Sequence, residues 1–353
     1  MSFLNQIFST PLGYVISLCY QIFNNYGIAI IVFTFLIKII LLPISIWIHK
    51  NSIKMVKIQP EINLIKAKFF GDNDKIAYEQ SNLYKREKYN PLASILPLFI
   101  QIILLIAVIH VIYHPLNYLL HLESPLINGL INQTVDLTNI DPNISSIQLT
   151  VVEAVKNSAF YDAFFSLETQ FANIDMDQTL NNINSIKLNI FGLNLSWIPI
   201  TKKGFLFIVP IIAGFFAWFL SYVQNKVNVL QSEQGKLNKY STMFLSVGLS
   251  LYLGLFVPVG VALYWITSNI FAILQLLILN KLINPNKFVD YKALEASKIK
   301  LGELQKLQRT KKRFKSDPNK KREKSDYKRF FSIANKHLVF YSEGNGYYKY
   351  FKN

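Results

Sequence analysis

Residues 240–280 form a long stretch without a single charged side chain. An α-helix rises about 1.5 Å per residue, so about 20 apolar residues cross the ~30 Å hydrocarbon core of a bilayer. The stretch is therefore too long for one span, and the Pro-Val-Gly at 258–260 offers a natural break. It predicts a hairpin of two membrane helices, at 240–257 and 259–281.

Three more apolar runs predict membrane helices at 26–47, 92–112 and 205–224. Together with the hairpin they make five spans, which predicts an all-α integral membrane protein. Residues 1–25 predict an amphipathic helix that lies along the membrane surface before the first span. The apolar side chains that recur at helical spacing in this segment are Val15, Leu18, Cys19, Ile22 and Phe23.

Basic residues are concentrated on one side of this array, within a net charge of +16. The 48–91 segment has nine basic and five acidic residues, whereas the 113–204 segment has four basic and eight acidic ones. Cytoplasmic loops of membrane proteins carry an excess of lysine and arginine. We therefore expect 48–91, 225–239 and the basic tail 282–353 to be cytoplasmic. The N-terminus and the 113–204 segment are expected outside.

The 48–91 segment is predicted to contain two helices, at 52–70 and 74–89, separated by a Gly-Asp-Asn turn at 71–73. We interpret it as a cytoplasmic helical hairpin. Two roles stay open for it. It is either a solvated connector or a device that docks a partner or the membrane surface.

The basic tail and the segment 113–190 allow further predictions. The tail carries basic clusters at 309–315 and 320–324, which are typical of segments that bind anionic lipid or RNA; a merely solvated tail is the alternative. Residues 337–351 alternate aromatic side chains around an Asn-Gly and predict a β-hairpin. The segment 113–190 is either a small helical cap or disordered.

A lysine lies inside the first predicted span, with apolar residues on both sides of it. A charge at the depth of Lys38 costs at least ~2.5–3.5 kcal/mol on insertion scales, so the side chain should face water or the bundle interior. Thr34 lies one turn earlier on the same face. The fifth span carries polar side chains at similar spacing: Tyr264, Trp265, Ser268 and Asn269. These residues predict a wet pocket within the bilayer.

Five stretches of the chain form a recognisable series: GIAIIVFTFLIKIILLP (27–43), KMVKIQPEI (54–62), LYKREKYNPLASILPLFIQIILL (83–105), FGLNLSWIP (191–199) and FVPVGVALYWITSNIFAILQ (256–275). In this order and spacing they resemble the YidC family of membrane protein insertases. The resemblance implies five membrane helices that enclose a hydrophilic groove, open to the cytoplasm and to lipid and closed on the outer side.

The resemblance also implies roles for single residues. Lys38 matches a groove position that is usually arginine, and Thr34, Gln101, Tyr264 and Trp265 match other substrate-facing positions. Lysine at this position departs from the family's usual arginine. The difference matters because an ammonium can lose its proton when desolvated, whereas a guanidinium stays charged. Insertion by this chain could therefore be weaker or more dependent on pH.

The function implied is that of an insertase and chaperone, not an enzyme, in the bacterial inner membrane. It would receive nascent membrane proteins and release their transmembrane segments into lipid without hydrolysing a nucleotide. The sequence has no GxxxxGK[ST] phosphate-binding loop, and no cofactor is expected. Expected partners are nascent chains, the ribosome at the basic tail and membrane lipids, and the Sec translocon is left open.

Two other classes of protein compete with this interpretation. A membrane transporter with a buried lysine in its substrate site should show paired halves or broken helices, and no internal repeat is evident. A membrane enzyme such as an acyltransferase should carry a catalytic set near one interface, yet acidic residues are absent from all five predicted spans.

The site residues have simpler alternatives as well. Lys38 could extend its ammonium toward the cytoplasm, and Thr34 could bond its own backbone. Gln101 could link two helices, and Tyr264 and Trp265 could be packing or interface aromatics. His110 and His114 have the spacing of a metal pair, but no third ligand stands nearby, so we expect no metal site.

Overall fold

The computed structural model describes residues 8–94, 96–202 and 204–316. Within these ranges the chain is almost wholly helical, which confirms the prediction of an all-α protein. The α-helices in chain order are α1 (Thr10–Phe23), α2 (Tyr26–Ile40), α3 (Leu42–Lys68), α4 (Asn73–Arg86), α5 (Leu96–Tyr113), α6 (Pro115–Tyr118), α7 (Ser124–Thr138), α8 (Ile147–Val155), α9 (Tyr161–Phe165), α10 (Met176–Asn184), α11 (Pro199–Lys202), α12 (Ile208–Val227), α13 (Val229–Ser232), α14 (Lys236–Phe256), α15 (Val259–Leu282) and α16 (Tyr291–Ser316).

Short 3₁₀ turns and one small hairpin complete the described structure. The turns are Pro91–Ser94, Ser158–Phe160, Ser166–Thr169, Gly204–Phe207 and Pro285–Lys287. Strand β1 (Asn189–Ile190) pairs in antiparallel fashion with β2 (Leu193–Asn194). The chain divides into two compact units. Among the described residues, the larger unit comprises those up to Ser52 and those from Leu92 to Asn284, and the smaller one comprises Ile53–Pro91 and those from Pro285 on.

A break at Leu41 separates α2 from α3, and the two helices are bent by 53° at this point. Pro43 follows immediately. A proline ring clashes with the carbonyl four residues earlier and disfavours helical backbone at the residue before it. The predicted first span, 26–47, is thus divided between two helices.

Two helical segments of the described chain are long and apolar enough to cross a membrane, Gly204–Val227 and Val259–Lys287. The bent pair α2 and α3 makes a third if it counts as one span. The apolar segment Phe99–Tyr113 is shorter than these. Apolar helices of this kind are those of an integral membrane protein. The count of five spans stays a prediction.

Close backbone packing joins α12 to α14. A Cβ added at Gly254 of α14 would lie 2.6 Å from Cα of Pro210, and one added at Gly214 of α12 would lie 2.8 Å from Cδ2 of Leu251. Small residues of this kind let membrane helices approach each other closely. Further contacts place α15 against both α12 and α2.

Helix α1 has one face in the protein core and one face exposed. The core face comprises Leu12, Ile16, Cys19 and Tyr20. Gly13 lies so close to the Tyr118 ring that an added Cβ would come within 2.1 Å of it. Among the predicted apolar residues, Leu18, Ile22 and Phe23 are exposed, whereas Cys19 belongs to the core face. A second, unburied apolar face is what a helix at a membrane surface would carry, and that placement stays a prediction.

Residues 113–190 are folded, so of the two alternatives for this segment the helical cap is the one observed. Helices α7, α8 and α10 bury apolar side chains in the same core cluster as α1 and α2. Leu130, Phe164 and Met176 are fully enclosed there. The cap is therefore part of the larger unit.

The smaller unit contains the predicted helical hairpin. Its helices are α4 and the second half of α3, and the turn between them uses Gly71 at φ +92°. Ile58, Ile62, Leu83 and Tyr89 form its apolar cluster. Glu61 and Arg86 form an exposed ion pair at 2.5 Å across the hairpin.

Helix α16 packs in the same unit, which the sequence did not predict. Asn63 donates a 3.0 Å hydrogen bond from Nδ2 to Oγ of Ser297, and both side chains are buried. Leu294 is buried one turn earlier. Part of the predicted basic tail is thus a docked helix. The basic cluster 320–324 and the predicted hairpin 337–351 lie outside the described residues.

Candidate functional site

Helix α2 positions the lysine that the sequence singles out. The helix starts at Tyr26, and the Asn25 side chain caps it by accepting a 3.1 Å hydrogen bond from the Ile28 N–H. Ile30 and Phe33 are buried on the side of α2 that faces the protein core. Lys38 lies three residues before the break at Leu41.

Lys38 is half-buried. In the described part of the chain no carboxylate and no hydrogen-bond acceptor contacts its ammonium. An enclosed charge without a partner is unfavourable in an apolar environment, and in membrane proteins such a charge normally faces water, a ligand or a substrate path. The geometry therefore leaves the ammonium available to a group from outside the chain.

Thr34 is fully buried, and its hydroxyl donates a 2.6 Å hydrogen bond to the Ile30 carbonyl. This is the local bond that the simpler alternative anticipated. Gln101 on α5 is exposed, and its side chain has no hydrogen-bond partner among residues 8–94, 96–202 and 204–316. The proposed bond from Gln101 to another helix is therefore not seen there.

Helix α15 carries the other predicted site residues, and they lie on two faces. Tyr264 is buried and its hydroxyl interacts with Ser268 one turn on. Trp265 is buried too, but its Nε1 donates a 2.8 Å hydrogen bond to Oγ of Ser250 on α14. Asn269 is buried, and its Nδ2 has no partner among the described residues.

The structure brings α2 and α15 together, because the ring centroids of Phe35 and Phe271 are 5.2 Å apart. Helix α5 also packs against α15. The seven predicted side chains thus lie on three helices that contact one another. Within the described residues the contact between Tyr264 and Ser268 is the one polar link between members of this set.

A single segment, residues 187–197, holds the N-terminal ends of both α2 and α15. The Lys187 carbonyl accepts a 3.0 Å hydrogen bond from the Tyr26 N–H. The Leu195 carbonyl accepts one of 2.9 Å from the Gly260 N–H, and the Trp197 carbonyl does the same for Val259. These bonds satisfy backbone donors that a helix start leaves free, and they close the N-terminal ends of the two helices against one segment.

The family resemblance implies closure on the outer side, but the sequence did not assign that role to residues 187–197, and it did not predict the part played by Ser250. In the sequence, the stretch 191–199 stands out only as one of the motifs that match the family. Phe191 and Gly192 adopt positive φ of 52° and 75°, the geometry of a two-residue hairpin turn. A glycine between two short apolar stretches was the available signal, but it is weak on its own.

His110 and His114 stack with ring centroids 4.1 Å apart, and Nδ1 of His114 lies 2.6 Å from the His110 carbonyl oxygen. The pKa of His114 is lowered, because the effect of burial exceeds the opposite effect of its contact with the His110 backbone. The described residues contain no group of three or more His, Cys, Asp or Glu side chains that could hold a metal ion.

A sequence model described as "60Kd inner membrane protein" matches residues 18–287. This range covers α2, α5, α12, α14 and α15, together with the closing segment. The chain belongs to the 60Kd inner membrane protein family. It is accordingly an integral membrane protein of the bacterial inner membrane.

Several relatives in this family are named membrane protein insertase YidC. The chain is 26% identical to the protein of Pelagibacter ubique over 269 residues, which are 75% of this chain and 37% of that protein. It is 42% identical over 104 residues to that of Buchnera aphidicola subsp. Baizongia pistaciae, covering 30% of this chain and 19% of the relative. For Fusobacterium nucleatum the identity is 35% over 112 residues, covering 32% and 55%. The matches thus span between a fifth and about half of the relatives' own lengths.

Proposed function

We propose that this chain is a membrane protein insertase and chaperone. It receives nascent polypeptides in a hydrophilic groove among five membrane helices, open to the cytoplasm and to lipid. It then releases their transmembrane segments into the bilayer. No nucleotide is hydrolysed and no cofactor is used, so the protein acts as a binding scaffold rather than as an enzyme.

The family match across residues 18–287 carries this proposal, because relatives that share this region are named insertases. The geometry supports it at one point in particular. Lys38 lies within an apolar helix, half-buried and without a partner in the described part of the chain. A transient acidic or polar segment of a substrate would supply that partner.

The driving force in this proposal comes from the substrate. Transfer of an apolar helix from water to lipid is favourable at roughly 25 cal/mol per Å² of buried apolar surface. The polar segment that must cross is the obstacle, and a wet groove at Lys38 lowers its desolvation cost. The membrane potential adds about 2.3 kcal/mol per charge for each 100 mV.

The proposed orientation follows the distribution of basic residues. The N-terminus and the cap 113–204 lie outside, and the hairpin 48–91 and the tail 282–353 lie in the cytoplasm. The basic residues of α16 and beyond are proposed to contact the ribosome or anionic lipid. Cooperation with the Sec translocon is compatible with this arrangement.

Reconstitution tests the proposal directly. The purified protein in liposomes should insert a short single-span substrate with an acidic outer segment, whereas empty liposomes should not. Lys38→Gln should reduce insertion several-fold, and Lys38→Arg should retain it. Lys226→Gln is the matched control, because this lysine lies over the Tyr222 ring at the end of α12.

Crosslinking separates the insertase from the alternative of a transporter. A photo-reactive residue at position 101, an exposed and predicted substrate-facing position, should capture a stalled nascent chain, and one at Ile39, which is 47% exposed, should capture much less. Uptake of a small solute by the liposomes without insertion of the substrate would favour the transporter and contradict the proposal.

A further inference from the structure

Gln275 is a polar residue of α15 that the proposed groove does not yet include. It stands between Leu274 and Leu276, and its Nε2 is enclosed without a hydrogen-bond partner in the described part of the chain. An enclosed amide N–H without an acceptor destabilises a fold, whereas leucine at the same place would not. Packing alone therefore does not account for a glutamine at this position.

The helix places Gln275 on the face of Tyr264 and Ser268. At 3.6 residues per turn, offsets of four, seven and eleven residues return to nearly the same direction. Phe271 belongs to this face as well, and its ring is the one that contacts Phe35 on α2. The face that carries Gln275 is therefore the face of α15 turned toward α2.

Gln275 also lies at the depth of Lys38. Helices α2 and α15 run in the same direction, because the segment 187–197 holds the first residues of both. Starting from the contact between Phe35 and Phe271, Lys38 is three residues further along α2, about 4.5 Å. Gln275 is four residues further along α15, about 6 Å.

Two hydrogen-bond donors therefore lie at about the same level along two packed helices. The Lys38 ammonium and the Gln275 Nε2 both lack an acceptor among the described residues. Asn269 and Asn280 also carry unpartnered atoms, but they lie on a different face of α15 and are not part of this pair.

We propose that Lys38 and Gln275 form a donor pair that binds a carboxylate in the polar segment of the incoming substrate. The ammonium supplies charge, and the amide supplies a second, directional hydrogen bond to the other carboxylate oxygen. This inference rests on the proposed insertase function. It adds a residue that discriminates acidic from neutral segments.

The test uses the full-length protein in liposomes and two single-span substrates. One carries aspartates in its outer segment, and the other carries asparagines at the same positions. Gln275→Leu should reduce insertion of the aspartate substrate by about tenfold, as expected for loss of one hydrogen bond to a charged group, and should affect the asparagine substrate much less. Gln275→Glu should discriminate against the aspartate substrate more strongly, through repulsion.

Stability supplies the second readout. Because leucine removes an unpartnered amide, Gln275→Leu should leave Tm in detergent unchanged or higher. A merely structural glutamine would instead give a lower Tm and an equal loss with both substrates, and that result would overturn the donor pair. Leu274→Ala is the control, since Leu274 is 49% exposed on a neighbouring face.

The two proposals fail in different ways. Insertion by the wild-type protein together with unchanged substrate preference in Gln275→Leu would overturn the donor pair alone. If the wild-type protein inserts neither substrate, the insertase function fails, and the donor pair fails with it.

Discussion

Trp265 donates its indole N–H to the hydroxyl of Ser250 at 2.8 Å, and this bond joins α15 to α14. The Ser250 hydroxyl in turn donates to the Ser246 carbonyl at 2.8 Å, so it is used both as donor and as acceptor. Both side chains are buried. The bond gives Trp265 a structural role that is separate from the substrate contact implied by the family resemblance.

Ser250→Ala should destabilise the protein by about 1 kcal/mol, because the Trp265 N–H then lacks an acceptor. Thermal unfolding in detergent measures the change. Trp265→Phe combined with Ser250→Ala should recover part of the loss, since both partners are then absent. If Trp265→Phe instead lowers insertion while Tm is unchanged, the indole acts mainly on substrate.

Gly254→Val should destabilise the packing of α12 on α14 by about 1–3 kcal/mol, the range typical of overpacking. The added Cβ would lie 2.6 Å from Cα of Pro210, and a backbone atom cannot move aside as a flexible side chain can. Gly248→Ala on the same helix is the control, because nothing lies within 4 Å of its added Cβ. Equal Tm values for the two variants would contradict this packing.

Gly27→Val should loosen the segment that closes the N-terminal ends of α2 and α15. A Cβ at position 27 would lie 2.8 Å from the side chain of Ile190 on β1. The Tyr26 N–H would then lose its bond to Lys187, and its amide exchange should become faster. Ile190→Ala should restore protection when it is combined with Gly27→Val, whereas a clash with other residues would leave the double variant unprotected.

The start of α4 should respond to acid. Asp72 caps this helix, and hydrogen bonds from Lys75, first from its backbone N–H and then from its side chain, lower the pKa of Asp72 below the ordinary 3.8. A lowered carboxyl pKa adds stability above the ordinary value, and that stability is lost as the pH falls through the lowered one. Amide exchange across 73–86, corrected for intrinsic rates, should therefore rise below about pH 4.

Two variants check this acid response. Asp72→Asn keeps a capping oxygen without a titrating group. Amide exchange in α4 of this variant should therefore show no increase as the pH falls over the same range. Asp72→Ala should exchange faster at every pH. A step that persists in Asp72→Asn would assign the acid response to another carboxyl group.

The sequence was enough to predict the apolar helices, the lysine at position 38 within the first of them, and the helical hairpin near 52–89. Helical periodicity, turn residues and charge are local properties, so they can be read without the fold. The break after Ile40 was not predicted, although Pro43 is a local signal for it because proline acts on its immediate neighbours. The family model matches residues 18–287, the range that contains these helices and the hairpin.

The tertiary structure alone decided which distant groups meet. Ser250 accepts from Trp265, the segment 187–197 closes two helices, and α16 docks on the hairpin through Asn63 and Ser297. No periodicity encodes these choices, because each depends on backbones that approach only after the helices have packed. Sequence pattern therefore determined the helices and the unusual lysine, and packing determined what surrounds them.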